Sequence, residues 1–318
     1  MELTTTTQVD PAVATFYDRV LLKRALPKLV HDKFAQIRNI PKKSGNTIKF
    51  RRYGALTVAT TPLTEGQTPP GQKLSKSDLT AQISQYGDYV HISDWVDLTV
   101  EDAVLTEAAE LLGEQLGKTR DTLIRDILCA CASSTDCTGG SNGKTPTEYS
   151  KTAIDGIVKI LLGADTDMIS NIIVGSTKVG TVPIRDAFFG IAHTDLVDAL
   201  EAVSGFKYLS EYAQQGPIME AEWGATGNVR WLISTNGHKD TSTTPDTYKS
   251  LIIGKNAYGI TNLEAGGAKN IVKAFGSGGT ADPLNQRCTS GWKMAFVARI
   301  LNDNFMHILK CSNKAGSG

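Results

Sequence analysis

The residues with most chemical potential fall in a few short strings. "TGGSNGKT", residues 138–145, is one residue short of the phosphate-binding pattern G-x-x-x-x-G-K-T, with Thr138 in place of the first glycine. That pattern works by following a strand and opening a helix, whose first N–H groups cradle phosphate. Here it follows a long helical pattern and runs into Pro146, so a flexible loop is the plainer reading and a nucleotide-binding enzyme the remote one. Cys129, Cys131, Cys137, Cys288 and Cys311 are odd in number and unevenly spaced, which argues against a disulfide framework. The Cys129–Cys131 pair lacks zinc spacing and a nearby histidine, so buried reduced thiols are expected. His31, His91, His193, His238 and His307 form no H-x-x-x-H or E-x-x-H pair. His193 and Asp195 stand at a helix start and read as capping residues, with Thr194 another possible cap; Glu220 and Glu222 read as surface. Nothing assembles a nucleophile, a base and an orienting group. No catalytic residue, cofactor or metal is expected.

Charge pairing is the other available chemistry. Thirty-three basic residues balance thirty-three acidic ones over 318 positions, which gives no bulk argument for nucleic acid or membrane. Locally, Arg51, Arg52, Lys73 and Lys76 share one segment with Glu65, Asp78 and Asp88. Mixed signs fit contact between protein subunits better than nucleic-acid binding, with a solvated surface as the plain alternative. The N-terminus lacks the basic and apolar regions of a signal peptide, and no apolar run reaches the roughly 18 residues of a membrane helix. A soluble intracellular product is the expectation.

Several elements must position these charges. Asp10 and Pro11 open an amphipathic helix carrying Phe16 and Tyr17, which ends near Pro27. "GNTIKFRRYG" alternates, with Ile48 and Phe50 on one face and Lys49 and Arg51 on the other. "LTAQISQYGDYVHIS", residues 79–93, is a second strand, with a bulge expected at Gly87. The polar stretch between them contains Pro69 and Pro70 and makes a long hairpin or projecting arm. At about 3.3 Å per residue such an arm reaches roughly 50 Å, and a two-stranded ribbon is marginal alone in water. It needs a partner surface.

Residues 99–133 form a proline-free helical run. Leu105, Ala108, Leu112, Leu116, Thr119, Leu123, Ile127 and Cys131 step along it at helical spacing and set the predicted core stripe. Glu114 with Lys118 and Asp121 with Arg125 read as favourably ordered i,i+4 pairs. Further helices are expected at 151–164 and 193–203. Strands are expected at 168–176, "NVRWLIST" and "YKSLIIG", with a C-terminal hairpin turning at "NDN", residues 302–304. The fold class is α+β.

This order resembles the HK97-like major capsid proteins of tailed bacteriophages. The strings "YDRVLLKRALPKLVHDKFAQIRNIPKKSGNTIKFRRYGALTVATTPLTEG", "NVRWLIST", "LIIGKNAYGI" and "DPLNQRCTSGWKMAFVARILNDNFM" are similar to the N4-like branch. The resemblance implies an N-arm at 1–45, an extended loop (E-loop) at 46–93, and a peripheral domain at 94–150 and 266–318 with its spine helix at 99–133. It implies an axial domain at 151–265. It further implies a homo-oligomer of pentamers and hexamers forming an icosahedral shell around double-stranded DNA, contacted non-specifically. A portal protein, a separate scaffolding protein and a decoration protein are implied partners; no membrane is. The protein would be located in the virion, after assembly in the host cytoplasm. An encapsulin-like compartment shell is the alternative with the same fold; a receptor-binding or decoration protein would remain a small oligomer. The expected intersubunit contacts are Arg51, Arg52, Glu65, Pro69, Pro70, Lys73, Lys76, Asp78, Phe16 and Tyr17.

Overall fold

The structure, a computed structural model, describes residues 30–68, 71–95, 104–137, 146–170, 186–211, 221–243, 245–264, 266–278 and 282–313. In chain order its elements are β1 (Gln36–Ile40), β2 (Thr47–Tyr53), β3 (Lys76–Gln82), β4 (Ser84–Ser93), α1 (Val104–Leu128), β5 (Ser134–Asp136), α2 (Lys151–Gly163) and β6 (Phe188–His193). There follow α3 (Val197–Glu201), β7 (Phe206–Tyr208), β8 (Glu222–Thr226), β9 (Val229–Ser234), β10 (His238–Asp240), β11 (Thr247–Ile253), β12 (Tyr258–Leu263), β13 (Lys269–Lys273), β14 (Arg287–Ile300) and β15 (Met306–Ser312). The expected first helix, most of the strand at 168–176 and the loop at 138–145 lie outside the described residues.

A five-stranded sheet runs β1-β12-β14-β13, with β4 also paired to β14; an eight-stranded sheet runs β5-β15-β11-β6-β9-β8-β7, with β10 on β11. In the larger sheet alternate residues face two different cores. Phe189, Ile191, Leu232, Leu251, Ile253 and Ile308 join the cluster with α1 and the five-stranded sheet. Phe188, Ala192, Val229, Trp231, Ile252 and Leu309 join the cluster with α2 and α3. A sheet buried on both faces carries near-continuous apolar strands, as "LIIG" and "WLIS" do. Gly190 leaves space for the indole of Trp231, because a Cβ there would lie 2.3 Å from its Cε3.

Helix α1 packs on β14 and β4. Of the predicted stripe, Leu112 and Leu116 are buried, while Leu105, Leu123 and Ile127 are half-buried. The fully buried positions are Ala109, Ile124 and Leu128. The buried face of the second half is therefore rotated by one residue, because Asp121 faces inward. The helix also stops at Leu128, short of the expected Ser133. Cys129 N–H bonds to Arg125 O (2.8 Å), but Ala130 and Cys131 bond three residues back, to Ile127 O (3.2 Å) and Leu128 O (3.1 Å). This tightening frees the chain to enter β5, which pairs in parallel with β15.

The structure departs from five further expectations. The extended loop does not reach 93: β2 pairs with β3 across 47–82, and β4 pairs with β14 across ten residues. Register is continuous through Gly87, so there is no bulge; the glycine admits the close backbone of β14, since a Cβ would lie 2.7 Å from Trp292 O. Nor is there a C-terminal hairpin: β14 belongs to the five-stranded sheet and β15 to the eight-stranded one. Residues 303–305 form a 3₁₀ turn, and Leu301 and Asn302 donate to Ala257 O. Strand β15 is buried along nearly its whole length and needs neighbours on both edges, which β11 and β5 supply. The implied division at 265 shifts accordingly, because β12 pairs with β1 and β14. Residues 30–45 of the expected N-arm also belong to the body, where β1 runs parallel to β12 and Phe34 stacks on Phe189 at 4.5 Å.

Candidate assembly surface

The β2–β3 hairpin is rooted in a small apolar cluster. Ile40, Ile83 and Ala295 are buried there, with Ile48, Leu263 and Val297 packed around them. Ile83 N–H donates to Asn46 O (2.8 Å), tying the two legs together. Ile48 and Phe50 are half-buried toward the body, whereas Lys49 and Arg51 face out. Past the strands, Gly54 N–H bonds to Ser75 O at 2.9 Å. The Gln72 amide then stands in for a peptide: Thr57 N–H donates to its Oε1 (2.8 Å) and its Nε2 donates to Thr57 O (2.7 Å).

Charge on the hairpin is partly satisfied internally. Arg51 Nε lies 3.0 Å from Asp78 Oδ1, and this hydrogen bond holds the Asp78 carboxyl below its usual range and raises the guanidinium. Arg52, Glu65, Lys73 and Lys76 are exposed. Phe16, Tyr17, Pro69 and Pro70 lie outside the described residues.

Apolar exposure is the signal that charge-based reading missed. Along the hairpin, Tyr53 is 58% exposed, Leu56 54%, Val58 80%, Leu63 77% and Leu74 72%. Single exposed apolar residues are ordinary, but five along one thin ribbon leave it no core of its own. Between the ribbon and the body lies a cleft of about 770 Å³ lined by Arg38, Lys49, Phe50, Arg52, Asn302 and Phe305.

The reactive side chains have structural duties. Cys129, Cys131, Cys137, Cys288 and Cys311 are free and buried; burial pushes the Cys129 and Cys311 thiols up to about 12 and Cys137 to about 11. His193, rather than Thr194, caps the 3₁₀ turn at 194–196 by accepting from Asp195 N–H (3.0 Å). His307 Nε2 lies 2.7 Å from Thr135 Oγ1. Glu222 is buried rather than on the surface, and it accepts from Arg230 Nε (2.7 Å) and Nη2 (2.6 Å). Asp121 is likewise buried and does not pair outward with Arg125, whose Nη2 lies 2.7 Å from Asp126. Among the described residues, no three His, Cys, Asp or Glu side chains are placed to hold a metal, and no helix is long and apolar enough to cross a membrane.

No protein-family model matches the sequence, and no curated protein matches it. Solved structures do match. The capsid chain of Ralstonia phage GP4 is 11% identical, with 91% of this chain and 90% of that one covered at a TM-score of 0.66. The head chain of Helicobacter pylori bacteriophage KHP40 is 12% identical, with 90% and 88% covered at 0.65. The capsid chain of cyanophage P-SCSP1u is 15% identical, with 90% and 89% covered at 0.61. The chain is thus α+β with the HK97-like fold of these phage capsid chains.

Proposed function

We propose that this protein is a phage major capsid protein that self-assembles into an icosahedral head. The observation that carries the reading is the shared fold along about nine-tenths of both chains, including those of Ralstonia phage GP4 and Helicobacter pylori bacteriophage KHP40. The hairpin supports it from physics. Its exposed Leu56, Val58, Leu63 and Leu74 gain burial only against another surface, and repeated copies supply that surface. Work is done by assembly, without a chemical step. Exposed Arg52, Lys73, Lys76 and Glu65 would steer neighbouring copies into register. Pentamers and hexamers, a portal, separate scaffolding and decoration proteins and non-specifically held double-stranded DNA belong to this reading. So do assembly in the host cytoplasm and membership of the N4-like branch, which rests on the sequence strings quoted above.

Electron microscopy of the purified chain, alone and co-expressed with its viral partners, tests this directly. Closed shells tens of nanometres across are expected. A persistent small oligomer under both conditions would reject the reading.

A further inference from the structure

One face of the five-stranded sheet is covered by α1; the other carries charge of a single sign. Trp292, Met294 and Phe296 of β14 turn toward α1 and join its core. Gly291 and Lys293 alternate with them and face away. In register, Gly291 lies between Tyr89 of β4 and Ile271 of β13, and Lys293 lies between Gly87 and Lys269. Tyr89 is 60% exposed and Ile271 45%. They flank a groove of about 340 Å³ that Lys273 and Lys293 also line. The strands of this sheet carry Arg38, Lys269, Lys273, Arg287, Lys293 and Arg299 against one carboxylate, Asp88. Asp88 belongs to the α1 side, opposite Trp292, and accepts from Gln115 Nε2 at 2.5 Å. No carboxylate of these strands shares the open face.

Lys269 and Lys293 stand directly opposite each other, and like charges so placed destabilise a sheet. An anion brought to this face relieves a repulsion already present. The groove adds a second requirement. An exposed tyrosine and isoleucine at the centre, with lysines around them, have the apolar core and charged rim of a protein interface, whereas a phosphate backbone leaves Ile271 unmatched. The β2–β3 hairpin of another copy is a poor match, because it carries Lys49, Arg51, Arg52, Lys73 and Lys76 against Glu65 and Asp78. Glu107, Glu110 and Glu114 form an acidic stretch on α1. That helix covers the opposite face, so a second copy offers the stretch only in a front-to-back, head-to-tail stack. We propose that the open face docks an acidic segment of a different protein. One apolar side chain of the segment seats between Tyr89 and Ile271, and its carboxylates meet Lys269, Lys273 and Lys293. The inference stands apart from the capsid reading.

The probe is a labelled glutamate-rich peptide with one central leucine, compared with the same peptide carrying serine in its place. Fluorescence anisotropy is read with the full chain at low salt. The leucine peptide should bind about tenfold or more tightly than the serine peptide, and added salt should weaken both. Lys269→Glu should lower the affinity about tenfold or more. It should also raise the thermal midpoint, since it turns a like-charge pair into an opposite-charge one. Ile271→Ser should remove the preference for leucine. No binding, equal binding of the two peptides, or unchanged affinity in Lys269→Glu overturns the proposal. A lowered midpoint in Lys269→Glu assigns the lysine a structural duty and also overturns it. Tighter binding of a duplex oligonucleotide, lost in Lys269→Glu, overturns it in favour of nucleic acid. Self-association in sedimentation that Lys269→Glu removes overturns it in favour of a second copy.

Discussion

Arg51 and Asp78 stand directly opposite each other in the β2–β3 register, with guanidinium Nε 3.0 Å from carboxylate Oδ1. The pair uses its charges inside one hairpin. Exchanging it, Arg51→Asp with Asp78→Arg, should therefore preserve assembly. Reversing Arg52, Lys73 and Lys76 together should lower shell yield. Particle counts by electron microscopy decide, and equal yields would remove these cations from the interface.

The apolar tip gives a separate expectation. Serine at Leu56, Val58 and Leu63 removes no buried contact within the chain, so the thermal midpoint of the unassembled protein should hold. Shell formation should fall sharply. A lowered midpoint with normal shells would mean that the tip folds back onto its own chain.

Burial along α1 predicts a contrast between neighbours. Ile124→Ala empties a fully buried site and should cost about 2–5 kcal/mol. Leu123→Ala, at a half-buried site, should cost clearly less, and Leu111→Ala, 62% exposed, should stay within about 0.5 kcal/mol. Urea denaturation of the three variants ranks them.

The reason for that contrast also shows what was legible in the sequence. Helical spacing located α1 and α2, and alternation located β2, because local periodicity reports burial when one face is apolar and the other polar. It failed where a polar residue is buried. Asp121 and Glu222 look like surface residues until His31 and Arg230, 90 and 8 positions away, are brought to them. It failed again for β14 and β15. Adjacent apolar strands around a short polar turn suit a hairpin, and only the competition for sheet edges sends them to different sheets. The hairpin's apolar tip was overlooked because its leucines are scattered among polar residues without a period.

Glu222 and Arg230 provide a buried-pair test. Glu222→Leu leaves the guanidinium without its carboxylate and should cost about 3–5 kcal/mol. Adding Arg230→Met should recover most of that loss. Failure of the double variant to recover in urea denaturation would show that the pair contributes more than mutual neutralisation.

Acid should act in two stages. Burial lowers His193, His238 and His307, so the unfolded chain takes up protons first as pH falls through about 6.5, and stability declines. For Asp121, burial acts upward but is outweighed by His31, Asn236 and the His31 amide, leaving it lowered. Its contribution is present above the ordinary Asp value of about 3.9 and is lost as pH falls through the folded-state value. Urea midpoints against pH should show both declines, and His307→Gln should flatten only the first. A flat profile between pH 7 and 5 would contradict the histidine assignment.

The two legs of the hairpin enter the five-stranded sheet at different strands. One leg leads back to β1, which pairs with β12; the other passes Ile83 into β4, which pairs with β14 over ten residues. A pull on the tip therefore divides between two ladders that straddle the β12–β14 pair. Any tension along the hairpin would load the backbone hydrogen bonds of both ladders in parallel, so it would be borne by the sheet behind the hairpin.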